Sequence, residues 1–214
     1  DLRQAVTDVP GSLVTFGLHA DALYRVTDRE VDAAHRLVVT CVHRGEQVRL
    51  ETPFLGRHFH VATVAAAATA HHLGVSWSDI QARLSTFEPV YGRCTTLAIQ
   101  DGPLFICDTT KSPAWSVHAS VETLESFAGA PRRTLVLGTL SDYAGSSRRA
   151  YRKAWTHARP YADRAIFLRH SPSHVGATGE EVETGRAVFL KTAAQIAAHL
   201  RETAIPGEVI LLKG

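Results

Sequence analysis

Between residue 12 and Leu55, apolar and polar residues alternate in short runs: SLVTFG, LYRVTD, RLVVTCVHR and QVRLETPF, the last two separated by the polar Gly-Glu of VHRGEQV. A period of two, bounded by turn residues, predicts antiparallel hairpins with one face on a core. From Pro103 the pattern changes to the apolar runs PLFICD, RTLVLG, RAIFLR, AVFLK and EVILLKG, separated by helically spaced segments such as SVHASVETLESF and TAAQIAAHLRETA. Strands alternating with helices predict an α/β fold, a mostly parallel sheet covered on both faces. Its strands should include Leu104–Cys107, Thr134–Leu137, Ala165–Leu168 and Val209–Leu212. Between the two patterns, HVATVAAAATAHHLG and WSDIQARLSTF predict consecutive helices, and the helical pattern stops at FEPVYGR. The domain boundary is therefore expected near Pro89, giving segments 1–88 and 89–214.

The alanine run is flanked by four histidines, in GRHFHVATVAAAATAHHLG. Alanine is the strongest helix former, so a helix over Val61–Leu73, buried on most sides and capped by Gly74, is expected. His71 and His72 fall in its last turn, where a packing or capping role suits the helix dipole. His58 and His60 lie at its entrance, about 15–20 Å away at 1.5 Å per residue, too far for the two pairs to share a metal. HExxH is absent, so no metal site is expected. His58 follows Gly56 where free backbone N–H groups favour an anion such as phosphate.

Composition narrows the function classes. The 214 residues are 45% hydrophobic and 21% charged with a net charge of +2, and Lys and Arg are scattered among Asp and Glu. No basic stripe points to nucleic acid. Neither a membrane span nor a signal peptide is legible, so a soluble, cytoplasmic protein is expected. Cys41, Cys94 and Cys107 form no CxxC pair, which suits a reducing compartment and small buried hydrophobes. Methionine is absent, even from position 1, so a C-terminal piece of a longer protein is expected.

Five short motifs, in order, resemble the Mur ligases, ATP-dependent enzymes that join an amino acid or peptide to a carboxylate through an acyl phosphate. GRHFHVATVAAAATAHHLGV is similar to that family's Gly-x-His-Asn-x-x-Asn and alanine-rich helix. PVYGR, Pro89 to Arg93, resembles Pro-x-x-Gly-Arg, and FICDTTKSP, Phe105 to Pro113, resembles a strand ending in Asp-Tyr-Ala-His-Asn-Pro. RRTLVLGTLSDYAGS resembles the strand and Gly-Asp-Met-x-Glu-Leu-Gly loop of the branch that adds D-alanyl-D-alanine, and PGEVILLKG resembles the Val-Leu-Val-Lys-Gly-Ser ending. The resemblance implies a Rossmann-like C-terminal domain preceded by a remnant of the central ATPase domain. It also implies ATP and Mg²⁺ as cofactors, held through an upstream part, with a nucleotide and a peptide or amino acid as partners in cell-wall precursor synthesis. Three departures matter. Phe59 and Ala62 replace two asparagines, Lys111 replaces a histidine, and FLRHSPS lacks the Asp and Arg with which another branch recognises diaminopimelate. No GxxxxGK[ST] loop is present. A decayed relative serving as a binding or scaffold module is the alternative.

Residue chemistry supplies candidates for the site. Asp108 ends an apolar strand, where open α/β sheets place their ligands. Ser112 should cap the next helix with Pro113 in its first turn, so that Asp108 and Lys111 project into one crevice. Acyl-phosphate chemistry needs cations to offset developing charge, and Arg93 and Lys111 are the candidates. Asp108 and Lys111 are therefore the expected catalytic pair, and His58, Arg93 and Asp108 the expected nucleotide contacts. Gly138, Thr139, Ser141 and Asp142, in the loop to Gly145, should face the amino component. Ser141, Asp142 and His170 could form a hydrolase triad only on paper, since no GxSxG elbow surrounds Ser141.

Overall fold

The computed structural model describes residues 13–214; residues 1–12, which include Ser12 of SLVTFG and the start of segment 1–88, lie outside the described residues. Strands β1 (Phe16–Gly17), β2 (Tyr24–Val31), β3 (Leu37–His43) and β4 (Glu46–Thr52) form a sheet in that order. The β2–β3 and β3–β4 pairs are antiparallel, as the alternation predicts. Arg44 and Gly45, both at positive φ, make the tight β3–β4 turn whose twist suits a hairpin. SLVTFG does not follow the expectation: β1 pairs with β2 in parallel. Gly17, at φ 128°, ends the strand after two residues, and the loop from Leu18 to Leu23 returns the chain level with Phe16.

Helices α1 (His60–His72) and α2 (Trp77–Leu84) cover this sheet, packing Val64, Ala67, Ala68, Ile80 and Leu84 on Tyr24, Val26, Leu37, Val39 and Leu50. Helix α1 starts and ends one residue earlier than expected. Gly74 closes it as predicted: its N–H bonds to His71 O and that of Val75 to Ala70 O, a Schellman pair. It is not buried on most sides, since Val61, Ala62 and Ala66 are exposed. Alanine suits helix on either face, so an alanine run says little about burial.

Several histidines in this half are held by packing and hydrogen bonds. His71 accepts or donates at 3.0 Å to the Tyr24 hydroxyl and stacks on Trp77 at 4.1 Å between ring centroids. His60 Nδ1 donates to Arg57 O at 2.8 Å, and Arg29 Nη1 lies 3.2 Å from its Nε2. Burial is the main cause pushing the pKa values of His58, His60 and His71 below the ordinary histidine range. The unfolded chain therefore binds more protons than the folded one below about pH 6.5, the unperturbed histidine value. Stability is expected to be complete above that pH and to fall as the pH drops through it. Urea midpoints measured from about pH 7.5 down to about 5 check this, and His71→Gln should make the decline shallower.

The second sheet has the order β5-β6-β10-β7-β8-β9. Its strands are β5 (Thr95–Ala98), β6 (Leu104–Asp108), β7 (Arg133–Leu137), β8 (Arg164–Leu168), β9 (Ala187–Leu190) and β10 (Val209–Lys213). The four predicted strands are all present, each extended by one residue. All neighbours are parallel except the β5–β6 edge pair. On one face lie α3 (Val117–Glu122), a following 3₁₀ turn, α4 (Ser147–Ala158) and the short α5 (Pro172–Val175) and α6 (Gly179–Glu183). There Val121, Leu124, Tyr151 and Trp155 pack on Ile106, Leu135, Phe167 and Leu211. The other face carries α7 (Ala193–Thr203), whose Ile196 and Leu200 meet Val136, Ile166 and Ile210. At the lower end of β10 the wholly buried Glu208 accepts from Arg132 at 2.5 Å, Thr134 Oγ1 at 2.5 Å and Arg164 at 3.1 Å. Leu55 and Phe59 join the core that contains α3, His35 stacks on Phe127 at 4.2 Å, and Arg57 pairs with Glu125 at 3.0 Å, so the segments leading out of the first sheet contact the second unit. Among the described residues no helix is long and apolar enough to cross a membrane.

Candidate functional site

The chain skips the position of β10 when it passes from β6 to β7 by way of α3, and fills it last by way of α7 from the opposite face. The reversal places a crevice at the carboxyl ends of β6, β10 and β7, the usual ligand position of an open α/β sheet. Asp108 and Lys213 stand opposite each other as the last residues of β6 and β10, and Lys213 Nζ donates to Asp108 Oδ2 at 2.6 Å. Ser120 Oγ of α3 donates to the same oxygen at 2.5 Å. Both charges are buried, at 4% and 2% exposure.

This arrangement corrects one expectation. Asp108 and Lys111 do not share a crevice: Lys111 is exposed and its Nζ binds Asp142 Oδ2 at 2.9 Å. Asp108 lies at the strand end with its carboxylate toward α3, whereas Lys111 is carried out on the loop beyond. Ser112 does not cap a helix either. The next turn is 3₁₀, runs from Ala114 to Ser116 after an extended Pro113, and leaves Ser112 Oγ buried without a hydrogen-bond partner among the described residues. The backbone is drawn into a β-bridge instead, with Ser141 N donating to Ser112 O and Ala114 N to Ser141 O, each at 2.8 Å.

A second zipper ties PVYGR to the same loop. Thr110 N donates to Gly92 O at 3.2 Å and Thr110 Oγ1 to Tyr91 O at 3.1 Å. Gly92 sits at φ 73°, and a Cβ there would come within 2.4 Å of Thr110 Oγ1, so this contact needs glycine on two counts. The outcome is a continuous crest of residues 91–93, 109–114 and 141–142. It carries Arg93, exposed and with no ion pair among the described residues, and the Lys111–Asp142 pair. Asp142, at φ 49°, also accepts from Ser141 Oγ at 3.0 Å, and the Lys111 hydrogen bond is the main cause holding its carboxyl below the usual range.

The remaining candidates separate. Gly138 N donates to Lys213 O at 2.7 Å, and a Cβ on Gly138 would lie 3.1 Å from Gly214 Cα. Gly138 and Thr139 border an apolar cavity of about 730 Å³ that includes Phe105, Val136, Leu168 and Ile196, while Asp142 borders a groove on the opposite face. His58 lies in a 3₁₀ turn, Arg57–Phe59, ahead of α1. Burial is the main cause of its lowered pKa, with Asp108 drawing it up and Lys213 down. Its Nδ1 is buried without a hydrogen-bond partner among the described residues. Phe59 stacks on Phe54 at 5.2 Å between centroids and packs into both sheets' cores, a packing role where the resembled family has asparagine. His170 packs on Tyr151 with ring centroids 3.8 Å apart and planes tilted by 47°, and makes no hydrogen bond to Ser141 or Asp142, so no triad assembles. Cys94 is buried and its thiol is pushed up to about 12 by burial, which leaves it unreactive. Among the described residues no group of three His, Cys, Asp or Glu converges as metal ligands. Lys213 and Ser120 went unassigned in the sequence, although the Lys-Gly of PGEVILLKG was itself one of the matched motifs.

The fold and crest define a Rossmann-like α/β unit, with a crevice at its switch point, following a helix-backed antiparallel sheet. Solved structures that share this arrangement are Mur ligases. One is the UDP-N-acetylmuramoylalanyl-D-glutamyl-2,6-diaminopimelate–D-alanyl-D-alanyl ligase of Acinetobacter baumannii, at 20% identity and a TM-score of 0.74, matched over 94% of this chain and 42% of that one. Another is the MurF ligase of Thermotoga maritima in complex with ADP, at 16% identity and 0.73, over 94% and 44%. A third is the UDP-N-acetylmuramate-alanine ligase MurC of T. maritima, at 16% and 0.71, over 94% and 44%. The likeness shows that this chain has the fold of those ligases over less than half of their length. No protein-family model matches the chain.

Proposed function

We propose that the chain is the closing, C-terminal portion of an ATP-dependent Mur-like amide ligase, with residues to 88 belonging to the central domain and 89–214 forming the C-terminal domain. The observation that carries this reading is the crest, where three of the resembled motifs, PVYGR, FICDTTKSP and the Gly138–Gly145 loop, are tied together by backbone hydrogen bonds at the ends of β6, β10 and β7. ATP bound with Mg²⁺ would supply the phosphoryl group that activates the acceptor carboxylate. Arg93, exposed and with no ion pair among the described residues, suits contact with nucleotide phosphates, and His58, in the turn ahead of α1, is assigned to the same ligand. The sequence holds no GxxxxGK[ST], so these residues do not themselves supply the phosphate cradle. Asp108 acts from beneath the surface, held with Lys213 and Ser120, and Lys111 with Asp142 forms the crest that meets the amino component, together with Gly138, Thr139 and Ser141. The reaction would be cytoplasmic and serve cell-wall precursor or related peptide synthesis.

A second reading rests on Phe59, whose ring fills the core where the resembled family has an asparagine. In that reading the nucleotide site has decayed and the unit binds a partner without ligating. ADP release by the full-length protein, with a panel of UDP-linked peptide acceptors and amino components, separates the two. Turnover supports the ligase, whereas no turnover and no ATP binding by calorimetry support the module.

A further inference from the structure

Net charge over the whole chain conceals a local concentration. Helix α4, SRRAYRKAWTHA, contains Arg148, Arg149, Arg152 and Lys153 and no acidic residue. All four are exposed, and among the described residues none of them pairs with a carboxylate. Most of the helix surface facing solvent is therefore positive.

Arg149 and Lys153 also border two adjoining hollows, of about 680 and 650 Å³, which share these residues and His157. The first lies between α4 and the segment leading into α3. Its floor is small and apolar, made by Ala150 and Ala154 four residues apart on α4 and by Ala114 and Val117 opposite. Trp115, 69% exposed, and Tyr143 stand at its walls. The second hollow continues past Arg152 to Tyr161. From Arg149 to His157 the furrow follows about 12 Å of helix, the reach of about four extended residues.

Two carboxylates interrupt the positive field. Asp142 closes one end, already paired with Lys111, and Glu122 faces His157 at 3.3 Å. A phosphodiester chain, negative at every unit, would have to pass over both. A peptide can place its acidic side chains against Arg149, Arg152 and Lys153, and set an apolar one on the alanine floor beside Trp115.

We propose that the furrow along α4 is a docking site for an acidic, extended peptide segment of a partner protein, with one apolar anchor residue flanked by Asp or Glu. The site lies away from the Arg93 end of the crest and does not depend on the ligase reading. Charge-steered binding of this kind weakens with added salt.

The test uses a fluorescein-labelled peptide of about eight residues with Leu at its centre and Asp or Glu around it, a length that spans the furrow with some overhang. Anisotropy should rise on titration with the wild-type chain, and Trp115 emission should change. The charge reversals Arg149→Glu and Lys153→Glu together should weaken binding by at least about tenfold, as expected for opposed charges at an interface. Trp115→Ala should weaken it without changing its salt dependence. All three residues are exposed, so unchanged melting curves establish that the variants fold. A neutral peptide of the same length, a single-stranded oligonucleotide and vesicles of anionic phospholipid are the comparison probes. Absence of peptide binding to the folded wild type, equal binding by the reversal variant, or tighter binding of the oligonucleotide or the vesicles would each overturn the proposal.

Discussion

Asp108→Ala is expected to lower the free energy of unfolding by about 3–5 kcal/mol, the cost of leaving one partner of a buried ion pair uncompensated. Lys213, 2% exposed, would lose the carboxylate that it meets at 2.6 Å, and Ser120 Oγ would lose its acceptor. For a chain of this size the melting temperature should fall by roughly 2–4 °C per kcal/mol. Thermal denaturation followed by circular dichroism measures it, and a loss under about 1 kcal/mol would show that water or a rearranged side chain satisfies Lys213. Replacing both partners with apolar residues of similar volume, Asp108→Leu with Lys213→Met, should recover much of the loss, because the desolvation cost of both charges disappears together. Any assay of Asp108→Ala for activity must therefore be read beside its melting curve. Asp108→Asn, which keeps the shape and can still accept from Lys213 and Ser120, is the better probe of the charge itself.

Arg93→Ala should behave in the opposite way. Arg93 is exposed with no ion pair among the described residues, so its removal is expected to leave stability unchanged to within about 0.5 kcal/mol. In the full-length protein under the ligase reading, the same change should slow ligation by roughly 10²–10³-fold, the scale of losing one preorganised charge-stabilising group. ADP release by wild type and variant decides the matter. An active wild type with an equally active Arg93→Ala would remove Arg93 from the site while leaving the fold untouched.

The contrast between these residues shows how far the sequence could be read. Strand positions were legible because β6, β7, β8 and β10 are buried on both faces and appear as unbroken apolar runs. The position of Asp108 at a strand end followed directly. Its partner did not, because Lys213 lies 105 residues away in sequence and meets it only through the strand order. Local spacing suggested Lys111 instead, and Ser112 looked like a cap because Ser-Pro is a common helix start; the bridge to Ser141 took over that backbone, and no local signal reports a bridge between two loops. The parallel pairing of β1 was hidden for the same reason, since alternation gives a strand its faces but not its direction. The basic face of α4 was in view as SRRAYRK, but averaging charge over the whole chain diluted it.

The position of β10 has a consequence for how the molecule is made. The strand nearest the end of the sequence is central in its sheet, hydrogen-bonded to β6 on one side and β7 on the other. During vectorial synthesis β6 emerges 105 residues and β7 76 residues before the segment that joins them, counted from the paired positions Leu104 and Arg133 to Val209, and they have no direct pairing to hold them together in the interval. The β7–β8–β9 block can associate early, while β6 waits with its apolar side chains uncovered. Assembly of the sheet is thus gated by the arrival of Val209–Lys213, and the two ionic anchors, Glu208 at one end of that strand and Lys213 at the other, fix its register as it inserts. Deleting residues 209–214 should leave a species that binds chaperones and aggregates, even though more than nine-tenths of the 214 residues, and most of their helices, remain intact.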